Sequence, residues 1–292
     1  MSKAKLATVV FLAAFFLGFP AGQAKAQGQG TDWKIEATGG YRAKAALNGD
    51  EGEVEMTTAG VELTWKYFTL SYDHLTLGWS DTDKLPFDER SRNPVNDLHS
   101  VGLKARYDGM FSERLGYMLL GGVYAGFEEQ TSGSLGLAGG GALTWFWNQE
   151  WQAMFGAMAV ASKVNVVAFP LVGVNWNQFA QSGPSLSLGF PRTQAAWRWN
   201  DEWQARLRYA WDTLTYRLAD GSPIKDGGYL ETKTMSLGLW ADYAPIEGLT
   251  VTAGPEFLFQ RKLVVYKNDG TTHDRHRLDN GWGGSLNISY EF

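Results

Sequence analysis

"WRWNDEWQARLRYAW", residues 197–211, carries the two features on which the fold turns. From Trp203 onward the apolar residues Trp203, Ala205, Leu207, Tyr209 and Trp211 take every second position, with Gln204, Arg206 and Arg208 between them. Side chains that alternate at period two stand on opposite faces of a β-strand, so this segment has one oily and one charged face. Ahead of it, Trp197-Arg198-Trp199 leads into the polar turn Asn200-Asp201-Glu202, and the chain resumes on Trp203. The same arrangement occurs earlier as "WFWNQEWQA", residues 145–153, with Trp145, Trp147 and Trp151. Each copy sets three indoles at one height beside a tight turn. Indole rings favour the boundary between membrane and water, where the apolar body and the polar N–H are both accommodated. The pair therefore reads as an aromatic girdle written twice, and filling of a soluble core is the weaker alternative.

The alternation recurs along the chain. In "TDWKIEATGGYRAKAAL", residues 31–47, Trp33, Ile35, Ala37, Tyr41, Ala43, Ala45 and Leu47 oppose Lys34, Glu36, Thr38, Arg42 and Lys44. In "HSVGLKARYDG" Val101, Leu103, Ala105 and Tyr107 oppose Lys104, Arg106 and Asp108, and "TMSLGLWADY" sets Met235, Leu237, Leu239, Ala241 and Tyr243 on one side. The last residues repeat the scheme with Leu286, Ile288, Tyr290 and Phe292. A two-sheet sandwich would show the same periodicity, so alternation does not choose between the two. Length does: many segments run to roughly ten to fifteen residues, above the five or six of ordinary sheets and near those of tilted membrane strands.

Connections sort into two sizes. Short turns stand at Asp108–Glu113, Asn148–Glu150, Asn200–Glu202 and Ala244–Gly248, and longer polar loops at Ser80–Leu98, Ala219–Gly228 and Tyr266–His276. This is the asymmetry of an outer-membrane barrel, with short periplasmic turns and longer external loops. We expect an all-β, closed, antiparallel up-and-down transmembrane barrel of about fourteen strands, the first at 31–47 and the last at 277–292. The alternative is twelve, if the short hairpin around "SLSLGFPRTQAAW" (185–197), near the interruptions at Pro170 and Pro191, lies outside the wall. An unpaired backbone group costs several kcal/mol in hydrocarbon, so the last strand is expected to pair with the first.

Residues 1–26 begin with Lys3 and Lys5, continue through an apolar run and close on Ala24-Lys25-Ala26. They read as a secretory signal peptide, leaving a barrel domain at 27–292. The apolar run is too short and wrongly flanked for a membrane-spanning helix. The chain has no Cys, which excludes a disulfide framework, and its net charge of −5 gives no footprint of a nucleic-acid binder.

Signal peptide, amphipathic strands, tryptophan belts and aromatic C-terminal residue together resemble a Gram-negative outer-membrane β-barrel protein. The "LVGVNWN", "LSLGFPRT" and "WRWNDEW" segments are also similar to uncharacterised proteobacterial barrels. The resemblance implies outer-membrane localisation, contact with outer-membrane lipid and lipopolysaccharide, and a final strand (Leu286, Ile288, Tyr290, Phe292) recognised by the barrel-assembly machinery. It sets no oligomeric state.

The inward row by parity contains the cations Lys34, Arg42, Lys44, Lys104, Arg106, Arg198, Arg206, Arg208 and Lys233 and the anions Glu36, Glu62, Asp108 and Glu256. A positively lined pore concentrates anions, so a narrow, porin-like, anion-leaning channel is one expectation. The other is a non-conducting structural or surface-binding barrel whose inward charges pair and fill it. An outer-membrane hydrolase is the least supported: the four His (His74, His99, His273, His276) accompany no nucleophile pattern. No metal or cofactor is expected. His273, Asp274 and His276 lack further spaced ligands, and "NGDEGE" at 48–53 lacks calcium-loop spacing.

Overall fold

In a computed structural model, which describes residues 33–87 and 94–292, the alternating segments become one wall. The signal peptide at 1–26 lies outside the described residues. Along the chain run β1 (Trp33–Ala46), β2 (Glu53–Trp65), β3 (Phe68–Ser80), β4 (Asp97–Ser112), β5 (Leu115–Phe127), β6 (Leu135–Phe146) and β7 (Trp151–Ala161). They are followed by β8 (Val166–Trp176), β9 (Gly183–Phe190), β10 (Thr193–Arg198), β11 (Trp203–Arg217), β12 (Tyr229–Ile246), β13 (Leu249–Tyr266), β14 (Thr272–Arg277) and β15 (Gly281–Glu291). Consecutive strands pair antiparallel from β1 to β13, β13 pairs with β15, and β15 closes on β1 from Lys34↔Glu291 to Arg42↔Gly283. β14 continues the line of β15 along the same edge of β13 and meets the end of β1 at Leu47↔Leu278, so β14 and β15 together count as one strand of the ring. Among the described residues the ring has fourteen strands, including the short pair β9 and β10, so the twelve-strand alternative fails. Closure leaves the C-terminal strand no open edge, which is what a sheet in hydrocarbon requires.

The outward row is apolar and exposed, for example Leu70, Leu103, Leu119, Leu207, Leu239 and Ile288. At the short-turn end it becomes aromatic: Trp33 stacks on Trp65 at 5.9 Å, Trp151 meets Trp176 at 6.2 Å and Trp203 stacks on Tyr243 at 4.4 Å. The two WxWN motifs form equivalent turns. Asn148 Oδ1 accepts the N–H groups of Glu150 and Trp151, and Asn200 Oδ1 those of Glu202 and Trp203. Asn suits this position because its side chain satisfies turn donors just ahead of it. All six motif tryptophans, Trp145, Trp147, Trp151, Trp197, Trp199 and Trp203, are exposed on the outer surface.

Among the register shifts of the wall, two exchange its faces near the upper end. The register of β1 against β2 shifts between Arg42 and Ala45, and that of β13 against β12 between Phe259 and Lys262, where Gln260 has φ 50°. One extra residue exchanges the faces of everything beyond it. Ala45 and Leu47 are consequently buried, not exposed with Trp33, and Lys44 is exposed, donating to Ser80 Oγ at 2.7 Å. On β13 the same exchange turns Arg261, Leu263 and Val265 inward.

The ring also narrows. β9 pairs with β8 only over Val172–Trp176, and β10 pairs with β11 only over Gln204–Tyr209. Beyond that level β11 crosses to β5: Arg217 bridges Phe127 in parallel, the Glu128 N–H donates to the Arg217 carbonyl at 2.8 Å, and the Ala219 N–H donates to Glu128 Oε2 at 2.8 Å. Gly126 is glycine because its Cβ would strike the Thr215 carbonyl. The joint bypasses β6 to β10 and leaves nine strands in the upper ring. An odd number of alternating strands must contain one parallel neighbour pair, and β5–β11 is that pair. A ring of about eight strands has an interior just wide enough for side chains to fill it. The upper ring is filled accordingly, by a core that includes Leu47, Leu98, Tyr216, Leu218, Leu230 and Leu263.

Between β8 and β11, above the β9–β10 hairpin, the wall has a gap. Pro170 lies on the stretch of β8 with no β9 partner, where a missing N–H costs the ladder least. Behind β5–β8 sits a second apolar cluster, with Met118, Leu120, Met158, Phe169 and Leu171. The far ends of β6–β8 rest on the β12–β13 arm: Tyr229 Oη donates to the Gly133 carbonyl at 2.9 Å and Lys163 Nζ donates to Asn268 Oδ1 at 3.1 Å.

At the rim of the cap, β14 turns His276 inward, where Phe87 packs edge-on at 5.4 Å and the ring nitrogens face Asn48 at 3.3 Å and Asp274 at 3.6 Å. Burial holds its pKa below the ordinary imidazole value, opposed by Asp274 and Glu51 and assisted by His273. A folded value below the unfolded one means the unfolded segment binds more protons, so stability falls as pH drops from about 6.5, the unfolded imidazole value, through the folded pKa. Amide exchange across β14 and the facing end of β13, corrected for intrinsic rates, is expected to be faster at pH 5 than at pH 7.5, and His276→Leu should flatten the difference.

Candidate functional site: the lumen

The barrel register places inward side chains in transverse rows. Arg208 of β11 pairs with Gly238, Gly238 with Glu256, Glu256 with Gly283 and Gly283 with Arg42, so three charged residues share one row with glycines between them. The glycines let neighbouring side chains lie flat on the wall. A Cβ at Gly238 would stand 2.5 Å from Trp240 Nε1, and one at Gly283 3.4 Å from Arg42 Cγ. Arg208 in turn lies over the Trp240 ring, 4.7 Å from its centroid. Arg206, opposite Trp240, bonds Asp242, which also accepts from Thr252 Oγ1 at 2.7 Å. Arg198 donates to Gln204 Oε1 at 3.1 Å.

Around the rest of the lumen most cations meet carboxylates. Lys34 lies 2.8 Å from Glu36, which accepts from Asn287 Nδ2 at 2.6 Å. Lys104 Nζ is 2.9 Å from Glu62, and Arg106 Nε is 2.7 Å from Asp108 near the short-turn end. Lys34 and Glu36 remain 22 % exposed although they face inward, so this part of the lumen admits water. Lys233 is not in the inward row. It shares its row with Met235 and Leu237, is buried, and ion-pairs with Glu231, whose other partner is Tyr266 Oη at 2.9 Å.

Three acids, Asp73, Asp212 and Asp242, and one arginine that help to complete the lumen were missed in the sequence; Asp73 stands on the inward parity of β3. Asp242 and Asp212 stand on the polar parity of β12 and β11, so the alternation that found Arg206 would have found them. Arg261 stands on the apolar parity of β13 and reaches the inside only through the bulge at Gln260. His74 and His99 stack on the outer face at 4.9 Å, with His74 Nε2 2.9 Å from Asp97 and His99 Nδ1 2.9 Å from Tyr72 Oη. Among the described residues no group of three His, Cys, Asp or Glu is placed to hold a metal ion. Leu286, Ile288 and Tyr290 lie exposed on the outside of β15, with Phe292 edge-on to Tyr290 at 4.9 Å.

No family model matches the chain, and no curated protein does. Similar solved structures include the Pseudomonas putida toluene transporter TodX, at 9 % identity, covering 96 % of this chain and 94 % of that one, with a TM-score of 0.42. A Pseudomonas aeruginosa FadL homologue is 12 % identical over 90 % of this chain and 91 % of its own, with a TM-score of 0.40. The KdgM porin in complex with disordered oligogalacturonate is 7 % identical over 89 % of this chain and 99 % of its own, with a TM-score of 0.36.

Proposed function

We propose that this protein is a narrow, porin-like outer-membrane channel for small solutes, leaning toward anions, whose external end rests closed. The observation that carries the reading is a water-accessible, ionic lumen enclosed by an apolar, aromatic-belted wall: a barrel that served only as an anchor would have no use for partly exposed charges inside. The short turns then face the periplasm, and the last strand, ending in Tyr290 and Phe292, is the part engaged by the assembly machinery. Outer-membrane lipid and lipopolysaccharide surround the wall. A second reading, a non-conducting structural or surface barrel, is favoured by one feature, the apolar cap that fills the nine-strand ring.

Planar-bilayer recording in a salt gradient tests the first reading. Brief openings with a reversal potential on the anion side are expected. Arg206→Glu with Arg208→Glu should abolish the anion preference, because both guanidinium groups face the lumen. Absence of any conductance from folded protein would leave the structural reading in its place.

A further inference from the structure

We propose that the lumen directly beneath the cap contains a binding site for a small monocarboxylate, formed by Arg261, Arg42, Arg208 and Trp240; the proposal rests on the channel reading only for the route by which the solute arrives. Arg261 is 1 % exposed. Its Nη1 donates to the Asp279 carbonyl at 3.4 Å, whereas Nε and Nη2 have no hydrogen-bond partner among the described residues. The Nε–Nη2 edge of a guanidinium carries two parallel N–H groups, the spacing that the two oxygens of a carboxylate accept. Trp240, 4 % exposed, likewise has an unpartnered indole N–H, and so does the Nε of its neighbour Arg206. Buried donors without acceptors are costly and rare in folded proteins. Here they are all donors, set on the neighbouring strands β11, β12 and β13 between the Arg206–Trp240 row and Arg261.

Charge agrees with the donor pattern. Arg42, Arg208 and Arg261 surround a single row carboxylate, Glu256, which acts on both Arg208 and Arg261. Asp279 lies near Arg261, Asp212 near Arg208, and Asp242 is already bonded to Arg206. Arg192, which faces Arg206, Arg208 and Asp212, brings the cations to five (Arg42, Arg192, Arg206, Arg208, Arg261) against four carboxylates (Glu256, Asp212, Asp242, Asp279), an excess of one positive charge that suits a monoanion better than a dianion. The glycines at 238, 281 and 283 keep the wall flat: a Cβ at Gly281 would stand 3.4 Å from Arg261 Nη1. The Trp240 ring, with Arg208 stacked over it, supplies an aromatic surface beside the donors.

The test is titration calorimetry of the full-length folded barrel in detergent with sodium benzoate as probe and sodium phosphate as comparator. Benzoate is expected to bind, and phosphate to bind more weakly. Arg261→Met should weaken benzoate at least tenfold, and Arg261→Lys should weaken it nearly as much, because the charge is kept and the fork is lost. Heat-dependent gel migration verifies that each variant is folded; should Arg261→Met not fold, Trp240→Phe, which removes one donor, is expected to weaken benzoate several-fold. Undiminished binding in Arg261→Lys, tighter binding of phosphate, or no binding of benzoate overturns the proposal. Bilayer recording separates the two readings: conductance without benzoate binding overturns the site and leaves the channel, and benzoate binding without conductance overturns the channel and leaves the site.

Discussion

Replacing Lys104 by Met is expected to lower the stability of the folded barrel by about 1–3 kcal/mol, below the range for a fully buried ion pair because the Glu62 side chain is 35 % exposed and partly hydrated. Lys104 is 5 % exposed on the inner face of β4, with Nζ 2.9 Å from Glu62 on β2. On β3, the strand between theirs, Asp73 stands one inward position beyond Glu62, a second carboxylate close enough to feel both. Removing the ammonium leaves two inward carboxylates facing each other across neighbouring strands, with no compensating cation. A methionine fills the volume, so the loss would be electrostatic and not a cavity effect. Glu62→Gln combined with Lys104→Met should recover most of the stability, since replacing both members of a buried pair costs far less than orphaning one. Urea unfolding of the detergent-solubilised protein, followed by tryptophan emission, gives the midpoint shift that decides. An unchanged midpoint in the single variant would mean that the Lys104–Glu62 contact contributes nothing to the wall.

Leu230→Asp is expected to raise single-channel conductance several-fold while leaving the lower barrel folded. Leu230 is fully buried in the cap among Leu47, Tyr216, Leu218 and Leu263. An isolated carboxylate in such surroundings is penalised by several kcal/mol, and the penalty can be relieved by separating the strand ends locally. Local opening costs less than unfolding the whole ring, because the fourteen-strand section beneath keeps its ladder on both sides of every strand. Heat-dependent gel migration should therefore survive in the variant. If the migration is retained and the conductance does not rise, the cap is not what closes the path.

The fold was legible to an unusual degree because its two strongest constraints are local. Period-two alternation in segments such as 203–211 and 286–292 records the wall, and the WxWN turns record one end of it. The closing pair β1–β15 follows from the cost of an open edge in hydrocarbon. What the sequence concealed has two physical origins. Bulges at Arg42–Ala45 and at Gln260 depend on one inserted residue and yet exchange whole faces, which is why Lys44 went outside and Arg261 went inside. The β5–β11 joint is a contact between segments some ninety residues apart, Phe127 and Arg217, and no local pattern marks it. Asp242 is different. Its parity was plain, and the positive interior inferred from Arg206 and Arg208 is tempered by it.

The loss of five strands partway up the wall makes the molecule mechanically uneven. Below that level each strand is fastened to a neighbour on either side, and shear is resisted all the way round. Above it, the flap of β6–β8 is held at its root and by a few bonds at its tip, such as Tyr229 to Gly133 and Lys163 to Asn268. Changes in bilayer thickness or lateral pressure would accordingly be absorbed by bending of the flap, sparing the alignment of the ionic rows next to it.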